Sequence, residues 1–464
     1  MMRSKRPARK SDIIANMHSE LDLSLSAPSP LHGESGLPGD KSLSHRAALF
    51  AALAEGESVI DGFLVSGVTR VMLNALTNLG AEWSLDKHRL TVRGKGLAGF
   101  ASPSDPINCG NSATTIRMLA GAIAATGKAA TLDGSDGLRK RPMDRVLIPL
   151  ANMGARIESV NGCAPLKLTA RTAALPLRPI DYDLPVASAQ VKSCLILAAL
   201  AAAGTSEIRE PGPSRDHTER MLKAMGADIR ENAPRSLRVS PLTRPLSPLR
   251  CTLPGDISSA AFPMVAAAIV PGSSILLREV GVNPTRTGLL EVLAAMGAEL
   301  KIINKRFVAG EPAADILLNA KPLKAVSVGG ETVVRMIDEF PAMAIAACFA
   351  DGVTEVRDAE ELRYKETDRI SVLCKELRAL GVSVEERQDG FRITGGTISG
   401  GTCHARGDHR LAMSLALAGL ASPAPVVVRD AAILNESFPA FLPTLRSLGV
   451  RTNQTGTVFA EQKT

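Results

Sequence analysis

The chain has 464 residues, of which 45% are hydrophobic and 22% charged, so it can bury a core for two or three domains and is not a disordered chain. Its apolar runs, such as residues 194–203 and 264–270, are shorter than the ~18–20 residues that a helix needs to cross a bilayer, which argues against a membrane protein. The formal net charge of +7 permits a nucleic-acid partner, but one Trp, two Tyr and 11 Phe leave few side chains to stack on bases.

The first 24 residues are predicted to be a basic tail. Five Lys or Arg and no acid lie within residues 1–10, so most of the net positive charge belongs to this segment. It lacks the apolar stretch of a signal peptide, and Asp12, Glu20 and Asp22 are unlike an acid-poor transit peptide. The seven cysteines include no CxxC pair and no spacing typical of disulfides or a zinc site. We therefore expect a reduced protein of the cytoplasm.

A pattern that recurs six times organises the rest of the chain. Each copy is an apolar helical stretch ending in Leu or Met, then Gly, then Ala or Val, then a segment of alternating hydrophobicity, and consecutive glycines are 68 to 84 residues apart. Glycine suits the left-handed residue that follows a helix, so each copy predicts a helix, a stop and a strand. Such junctions occur in any α/β protein, and an accidental regularity is the alternative. The glycines are Gly80, Gly154, Gly226, Gly297, Gly381 and Gly449.

A second repeat divides the chain into two halves. The sequence LPGDKS at residues 37–42 returns as LPGDIS at 253–258, and each copy precedes an Ala-rich run typical of a helix. Four prolines between residues 234 and 248 precede the second copy, which suits a boundary that few contacts cross. Because units of ~70 residues are too small to fold alone, we predict an α/β (α+β) protein of two similar domains with three units each.

The first candidate for chemistry is a cluster at the predicted start of a helix, where Lys41, Ser42 and Arg46 lie. Backbone N–H groups and the helix dipole favour an anion there, and residues four apart share one face of a helix. The segment lacks the adjacent Gly and Lys of a nucleotide-binding phosphate loop, which excludes that type of site. Taken alone, the cluster is equally consistent with a solvated Lys and Arg.

Six further polar clusters lie at predicted helix starts or loops, and each by itself could be a helix cap or a solvated charge run. They occupy residues 108–117, 138–143, 187–193, 336–341, 363–369 and 407–410. Because cations from both halves are combined with carboxyl groups, the sequence predicts a site for substrates with several negative charges, with groups for proton transfer. The residues concerned are Lys41, Arg46, Arg141, Asp338, Lys365, Glu366, Arg369 and Arg410.

These motifs resemble the 5-enolpyruvylshikimate-3-phosphate (EPSP) synthase family. The segments that carry the resemblance, in chain order from residue 37 to 410, are LPGDKSLSHR, GNSATTIR, RKRPM, ASAQVKS, SRDHTERM, MIDEFP, RYKETDR and GDHR. The segment SFPAF at residues 437–441 extends the resemblance, so it covers nearly the whole chain except the tail. The forms ASAQVKS and SRDHTE are most similar to the bacterial glyphosate-tolerant class of the family.

The resemblance implies a fold and a reaction. The fold would be that of the enolpyruvyl transferases, in which each domain has three βαβαββ units about a pseudo-threefold axis and two strands cross between the domains. Residues 37–252 would form the first domain and residues 25–36 with 253–464 the second, with the active site in the cleft between them. The enzyme would transfer the enolpyruvyl group of phosphoenolpyruvate to the 5-hydroxyl of shikimate 3-phosphate, as a monomer without a metal or organic cofactor.

The resemblance also implies roles for residues of this chain. Asp338 would accept the proton of the attacking hydroxyl, Glu366 would donate a proton to the methylene carbon, and Lys41 would contact both substrates. Shikimate 3-phosphate would be bound by Lys41, Ser42, Arg46, Ser188, Ala189, Gln190, Arg215, Asp338 and Lys365. Phosphoenolpyruvate would be bound by Lys41, Ala113, Arg141, Gln190, Arg369 and Arg410.

Two positions depart from the best-known class of the family. Ala113 stands where that class has Gly, and its methyl group would shorten the phosphoenolpyruvate pocket, which predicts reduced sensitivity to the inhibitor glyphosate. Glu436 stands where that class has a Lys that contacts phosphoenolpyruvate, so this role is not carried over.

Two other functions compete with this interpretation. A related enolpyruvyl transferase that acts on a UDP-sugar shares the fold, but it normally has a reactive loop Cys and an Asn after its early Lys; this chain has Ser42 and no matching Cys. A basic nucleic-acid-binding protein is the more distant alternative, and neither aromatic platforms nor a recognition motif support it.

Overall fold

The computed structural model describes residues 21–172, 175–308 and 310–456, so the first 20 residues of the predicted tail lie outside it. Within these ranges, 24 strands form six four-stranded sheets, each with one parallel and two antiparallel strand pairs. The strands are β1 (Asp22–Ser26), β2 (His32–Gly36), β3 (Glu55–Asp61), β4 (Glu82–Asp86), β5 (Arg89–Lys95), β6 (Ile107–Asn108), β7 (Ala130–Asp133), β8 (Ile157–Val160), β9 (Cys163–Leu168), β10 (Asp181–Asp183), β11 (Ser206–Arg209), β12 (Ile229–Ala233), β13 (Ser236–Val239), β14 (Arg250–Thr252), β15 (Ser274–Gly281), β16 (Glu299–Val308), β17 (Glu311–Asn319), β18 (Ser327–Val328), β19 (Val353–Val356), β20 (Ser383–Arg387), β21 (Gly390–Thr394), β22 (Gly401–His404), β23 (Val426–Arg429) and β24 (Arg451–Thr455). The sheet orders are β14-β3-β5-β4, β6-β7-β9-β8, β10-β11-β13-β12, β2-β15-β17-β16, β18-β19-β21-β20 and β22-β23-β1-β24.

Helices connect the strands of each sheet. The α-helices are α1 (Lys41–Leu53), α2 (Gly67–Asn78), α3 (Ala113–Thr126), α4 (Asp136–Arg139), α5 (Asp144–Asn152), α6 (Ala189–Ala199), α7 (His217–Ala224), α8 (Ile257–Ile269), α9 (Gly288–Ala295), α10 (Glu331–Arg335), α11 (Phe340–Cys348), α12 (Arg369–Ala379), α13 (His409–Leu417) and α14 (Phe441–Ser447). Short 3₁₀ helices occupy Leu97–Gly99, Pro284–Arg286, Glu360–Tyr364, Ala418–Leu420 and Ala431–Glu436. Among the residues described, none of the helices has both the length and the apolarity required to span a membrane.

The six sheets confirm that the glycine pattern marks six repeated units. All six glycines have a positive φ, between 81° and 103°, which an L-residue with a side chain rarely adopts. Each ends a helix, and the strand that follows it lies at an edge of one sheet: β4, β8, β12, β16, β20 or β24. The regular spacing in the sequence is therefore the length of one folding unit.

Two hydrophobic cores divide the described residues. The first core takes its side chains from residues 43–253, and the second from residues 23–31 and 257–450. Every residue of α8 is buried, as expected for a helix that is apolar on all sides and lies at the centre of a core. We call the parts of the chain around these cores the first lobe and the second lobe.

The predicted tail is too long at its C-terminal end. Strand β1 begins at Asp22 and pairs with β23 and β24, so residues 22–24 belong to the second lobe. Leu23 and Leu25 are buried, while Asp22, Ser24 and Ser26, which alternate with them, are more exposed. This alternation is the pattern of a half-buried strand, and the basic composition of the preceding residues obscured it.

The chain passes between the lobes at the two copies of the repeated LPGD sequence. The two passages are hydrogen-bonded to each other, because the Asp40 N–H donates to Pro254 O at 2.9 Å and the Asp256 N–H donates to Pro38 O at 3.0 Å. Strand β14 precedes one passage and pairs in parallel with β3, which completes the first sheet of the first lobe. Strand β2 precedes the other passage and pairs in parallel with β15, which completes the first sheet of the second lobe. The sequence repeat therefore marks the connection between the lobes.

The structure explains why the repeated sequence contains Gly and Asp. A Cβ atom on Gly39 would lie 1.7 Å from the carbonyl oxygen of Gly62, so only glycine fits there. The carboxylates of Asp40 and Asp256 cap α1 and α8, and the buried guanidinium of Arg286 donates to both at 3.1 and 3.3 Å. The starts of α1 and α8 are thereby fixed relative to each other.

Candidate active site

A cleft of about 750 Å³ lies between the two lobes, and charged side chains from both lobes line it. Of the 14 residues predicted for the site, 13 line this cleft, and the other, Arg369, lies behind its wall. The first lobe contributes Lys41, Ser42, Arg46, Ala113, Arg141, Ser188, Ala189, Gln190 and Arg215. The second lobe contributes Asp338, Lys365, Glu366 and Arg410.

The first turns of α1 supply three of these side chains. Arg46 is 2% exposed, and its Nε donates to Thr218 Oγ1 at 2.7 Å while its Nη2 donates to Ser193 Oγ at 2.9 Å. Its Nη1 donates to the carbonyl oxygen of Ser42 at 3.0 Å, which ties the guanidinium to the start of its own helix. Burial lowers the pKa of Arg46 to about 10, so the group stays charged at neutral pH. Arg46 is therefore a fixed cation at the base of the cleft.

The starts of α3 and α6 meet beside it. Ser188 caps α6, and Gln190, in the first turn of that helix, donates to Thr114 Oγ1 at 2.9 Å. The other side of the Gln190 amide accepts from Arg117 Nη1 at 2.6 Å. Ala113 is the first residue of α3 and lines the cleft next to this contact. The amide of Gln190 is thus held in one orientation by the helix that carries Ala113.

Three arginines converge on Asp338. Arg215 Nη2 from the first lobe donates to Asp338 Oδ2 at 2.5 Å, and Arg369 Nη1 donates to Oδ1 at 3.4 Å. Arg410 Nη2 lies 3.5 Å from Oδ2. Burial alone would raise the pKa of Asp338, but Arg410, Arg215 and Arg369 outweigh it and hold that pKa well below its usual range. Asp338 is therefore a carboxylate in this state, placed where the lobes face each other.

Glu366 is the second acid of the cleft and is held mainly by Arg369. Arg369 Nη2 donates to Glu366 Oε2 at 2.6 Å, and its Nε donates to the buried carboxylate of Asp408 at 2.7 Å. Burial raises the pKa of Glu366, but the charge of Arg369 lowers it well below the usual range, with smaller contributions from His409 and Arg141. Arg369 thus touches both acids from behind rather than lining the cleft.

Arg141 faces Glu366 from the first lobe. Its Nη2 lies 3.9 Å from Glu366 Oε1, beyond hydrogen-bond distance, and that buried nitrogen has no hydrogen-bond partner among the described residues. An unsatisfied buried guanidinium nitrogen is costly, so it is available to an anionic ligand.

The two lysines of the cleft are less basic than free lysine. Burial and the charge of Arg410 lower the pKa of Lys41, while Asp338 and Glu366 oppose this effect. Burial also lowers the pKa of Lys365, and Glu361 is the strongest opposing influence. Both ammonium groups therefore lie where their charge is poorly solvated and attracts an anion.

The sequence predictions missed six charged residues of the cleft, which are Arg117, Arg145, Glu331, Asp358, Glu360 and Glu361. Arg117 holds Gln190, and Arg145 of the first lobe pairs with Glu361 of the second, its Nη1 lying 3.0 Å from Oε1. Arg145 follows Arg141 by four residues and Glu361 precedes Lys365 by four, a spacing that could have indicated them. Their partners are more than 70 residues away in the chain, however, so the contacts themselves were not visible.

Glu436 brings a third carboxyl group near Glu366. It ends the 3₁₀ helix Ala431–Glu436. Burial and the charge of Glu366 raise the pKa of Glu436, and Lys41 and Arg141 oppose this effect. The position therefore adds negative rather than positive charge beside the two cations.

Sequence comparisons match almost the whole chain to one protein family. Residues 25–445 match the family model described as EPSP synthase (3-phosphoshikimate 1-carboxyvinyltransferase). A curated relative with the latter name from Geobacter metallireducens is 47% identical over 424 residues, which cover 91% of this chain and 97% of the relative. Another with that name, from Gloeobacter violaceus, is 48% identical over 416 residues, covering 89% of this chain and 95% of the relative.

Solved structures are similar over almost the whole chain. The EPSP synthase of Acinetobacter baumannii matches with a TM-score of 0.84 and 38% identity, covering 94% of this chain and 100% of the solved one. The enolpyruvyl transferase NikO of Streptomyces tendae matches with a TM-score of 0.76 over 95% of this chain and 100% of the solved one. At 19% identity the second match shows a shared fold alone.

Proposed function

Since the chain belongs to the EPSP synthase family, we propose that the cleft around Lys41, Asp338 and Glu366 is where its reaction takes place. The activity is that of a 3-phosphoshikimate 1-carboxyvinyltransferase: the enolpyruvyl group of phosphoenolpyruvate is transferred to the 5-hydroxyl of shikimate 3-phosphate, and phosphate is released. The observation that supports this site is the convergence of cations from both lobes on two carboxyl groups.

Shikimate 3-phosphate binds mainly to the first lobe in this proposal. Ser42, Arg46 and the start of α6 surround one end of the cleft, and the N–H groups of a helix start favour a phosphate. A phosphate dianion competes with Asp338 for the guanidinium of Arg215. Arg215 therefore either leaves Asp338 or contacts Asp338 and the phosphate together. The full set of residues proposed for this substrate is Lys41, Ser42, Arg46, Ser188, Ala189, Gln190, Arg215, Asp338 and Lys365.

Phosphoenolpyruvate binds between the lobes. The unsatisfied Nη2 of Arg141 and the guanidinium of Arg410 lie on opposite sides of the cleft, so an anion between them is held by both lobes. Arg369, behind the wall, contributes through the charge that it places near Asp338 and Glu366. The full set proposed for this substrate is Lys41, Ala113, Arg141, Gln190, Arg369 and Arg410.

The proposed chemistry is an addition followed by an elimination. Asp338 accepts the proton of the 5-hydroxyl while the hydroxyl oxygen attacks carbon 2 of phosphoenolpyruvate. Glu366 donates a proton to carbon 3. The resulting tetrahedral ketal loses phosphate while the Glu366 carboxylate takes a proton back from carbon 3, which restores the double bond, and the proton on Asp338 leaves with the phosphate. Lys41 and the arginines stabilise the negative charge of both substrates throughout.

Glu366 must carry a proton to act as the donor, and substrate binding changes the charge around it. Without substrate, Arg369 keeps Glu366 ionised, and an ionised carboxylate cannot donate. A phosphoenolpyruvate anion beside Arg141 competes for the cations and adds negative charge near Glu366, and both effects raise the pKa of that carboxyl. Phosphoenolpyruvate binding is therefore expected to favour the protonated form of Glu366.

Release of inorganic phosphate tests this proposal. Shikimate 3-phosphate with phosphoenolpyruvate is expected to give phosphate, and a UDP-sugar with phosphoenolpyruvate is expected to give none. Glu366→Gln is expected to abolish release without unfolding the chain, because Gln keeps the size of the side chain and Arg369 retains the carboxylates of Asp338 and Asp408. Release with the UDP-sugar instead would support the alternative acceptor, and full activity of Glu366→Gln would contradict the assigned site.

Four finer points are also proposals. The two hydrophobic cores and the pairing of β1 support domains of residues 37–252 and of residues 22–36 with 253–456. The methyl group of Ala113 on the wall of the cleft supports membership of the glyphosate-tolerant class. A monomer is proposed because the cleft is complete within one chain. Location in the cytoplasm is proposed from the free state of the seven cysteines.

A further inference from the structure

The ion pair of Arg145 and Glu361 crosses the cleft without involving a residue so far assigned to either substrate. Arg145 in α5 of the first lobe donates from Nη1 to both carboxylate oxygens of Glu361, at 3.0 and 3.1 Å. Glu361 lies in the 3₁₀ helix Glu360–Tyr364 of the second lobe, and both side chains line the cleft. The two are 26% and 33% exposed, so the pair is partly withdrawn from solvent.

The same carboxylate also faces the lysine of the site. Glu361 Oε1 lies 3.8 Å from Nζ of Lys365, four residues farther along the chain. Of the carboxyl groups in the described residues, only that of Glu361 lies within 4 Å of the Lys365 ammonium group. Lys365 is 23% exposed and also faces the charge of Arg369, so its position depends on a counter-charge.

Glu361 thus has a cation on each side, one from each lobe. A carboxylate that is held by a guanidinium from the opposite lobe has fewer orientations than one that contacts only its own lysine. Without the contact with Arg145, Glu361 is free to turn toward solvent or to draw Lys365 away from the cleft. The position of Lys365 is thus coupled to a contact between the lobes.

We propose that Glu361 is a positioning residue for the transferase reaction: Arg145 orients its carboxylate across the cleft, and the carboxylate places the ammonium group of Lys365. This inference rests on the proposed function, in which Lys365 binds shikimate 3-phosphate, the substrate that carries the attacking hydroxyl. A displacement of a reacting group by ~1 Å can cost ~100-fold in rate, so an effect on kcat is expected although Glu361 does not contact the reacting atoms.

Kinetics of phosphate release with both substrates varied test the proposal. Glu361→Gln is expected to lower kcat roughly 10- to 100-fold, with little change in the Michaelis constant for phosphoenolpyruvate. Glu361→Asp, which keeps the charge, is expected to retain more activity than Glu361→Gln. Glu57→Gln is the matched control, because Glu57 pairs with Arg93 at 3.3 Å on the surface of the first lobe, and its kcat is expected to be unchanged.

Combined variants separate positioning from a structural contact. In a Lys365→Gln background, Glu361→Gln is expected to lower kcat by no more than twofold, because its effect passes through the lysine. The exchange Arg145→Glu with Glu361→Arg restores a pair between the lobes but places a cation beside Lys365, so its kcat is expected to stay as low as that of Glu361→Gln. Recovery of kcat in the exchange variant, or an undiminished effect in the Lys365→Gln background, overturns the proposal. Wild-type activity of Lys365→Gln alone would instead contradict the proposed role of the lysine.

Discussion

Replacing Asp338 by Asn separates two effects of its negative charge, which are acceptance of a proton and pairing with three guanidinium groups. Asn keeps the size and an acceptor oxygen but removes the negative charge that faces three guanidinium groups at 2.5, 3.4 and 3.5 Å. A positioned proton acceptor contributes ~10²–10⁴-fold to a rate, so kcat is expected to fall by that factor. The three arginines lose their shared counter-charge at the same time and become freer to bind anions. The Michaelis constants for the two anionic substrates are therefore expected to hold or to fall.

Steady-state phosphate release with each substrate varied in turn measures both quantities. Asp358→Asn is the matched control, because Asp358 lines the same cleft but accepts a backbone N–H from Gly330 at 2.9 Å. Its φ of +61° is a conformation that Asn also adopts, so the exchange introduces no new strain. A loss of less than tenfold in Asp338→Asn, or an equal loss in Asp358→Asn, would refute the assignment of Asp338 as proton acceptor.

Three more results are expected. Ala113→Gly should lower the inhibition constant of glyphosate, because it removes a methyl group from the wall of the cleft, and equal constants for the two proteins would contradict this pocket model. Gly39→Ala should lower the free energy of unfolding by ~1–3 kcal/mol or more, since the new Cβ would meet the Gly62 carbonyl oxygen at 1.7 Å; an unchanged urea midpoint would show that the passage can adjust. Burial lowers the pKa of His45 to about 4 and that of His409 to about 3, so below pH ~6.5 the unfolded chain binds more protons than the folded chain. The free energy of unfolding should therefore fall as the pH falls from ~6.5 through these values, and His45→Gln should reduce the slope; the same slope in both proteins would be inconsistent with a buried neutral imidazole.

The division into six units and two halves could be predicted because it depends on local chemistry. Glycine is favoured where the backbone takes a positive φ after a helix, so each of the six units has its own local signal in the sequence. The repeated LPGD sequence was visible for the same reason, since Gly39 has no room for a side chain and the Asp that follows caps a helix. Strand β1 was missed in part because its five residues follow a strongly basic segment.

The residues of the site could be predicted as a set, but their partners could not. The family motifs named Asp338, Glu366 and Arg369, and the cleft brings the first two together. Only the tertiary structure showed that Arg369 lies behind both acids and that Arg145 reaches Glu361 from the other lobe. Contacts within one helix turn leave a spacing in the sequence, whereas a contact across the cleft depends on how two separately folded lobes face each other. The sequence by itself thus determined the units, the family and the charged residues, and the packing of the lobes decided which charges meet.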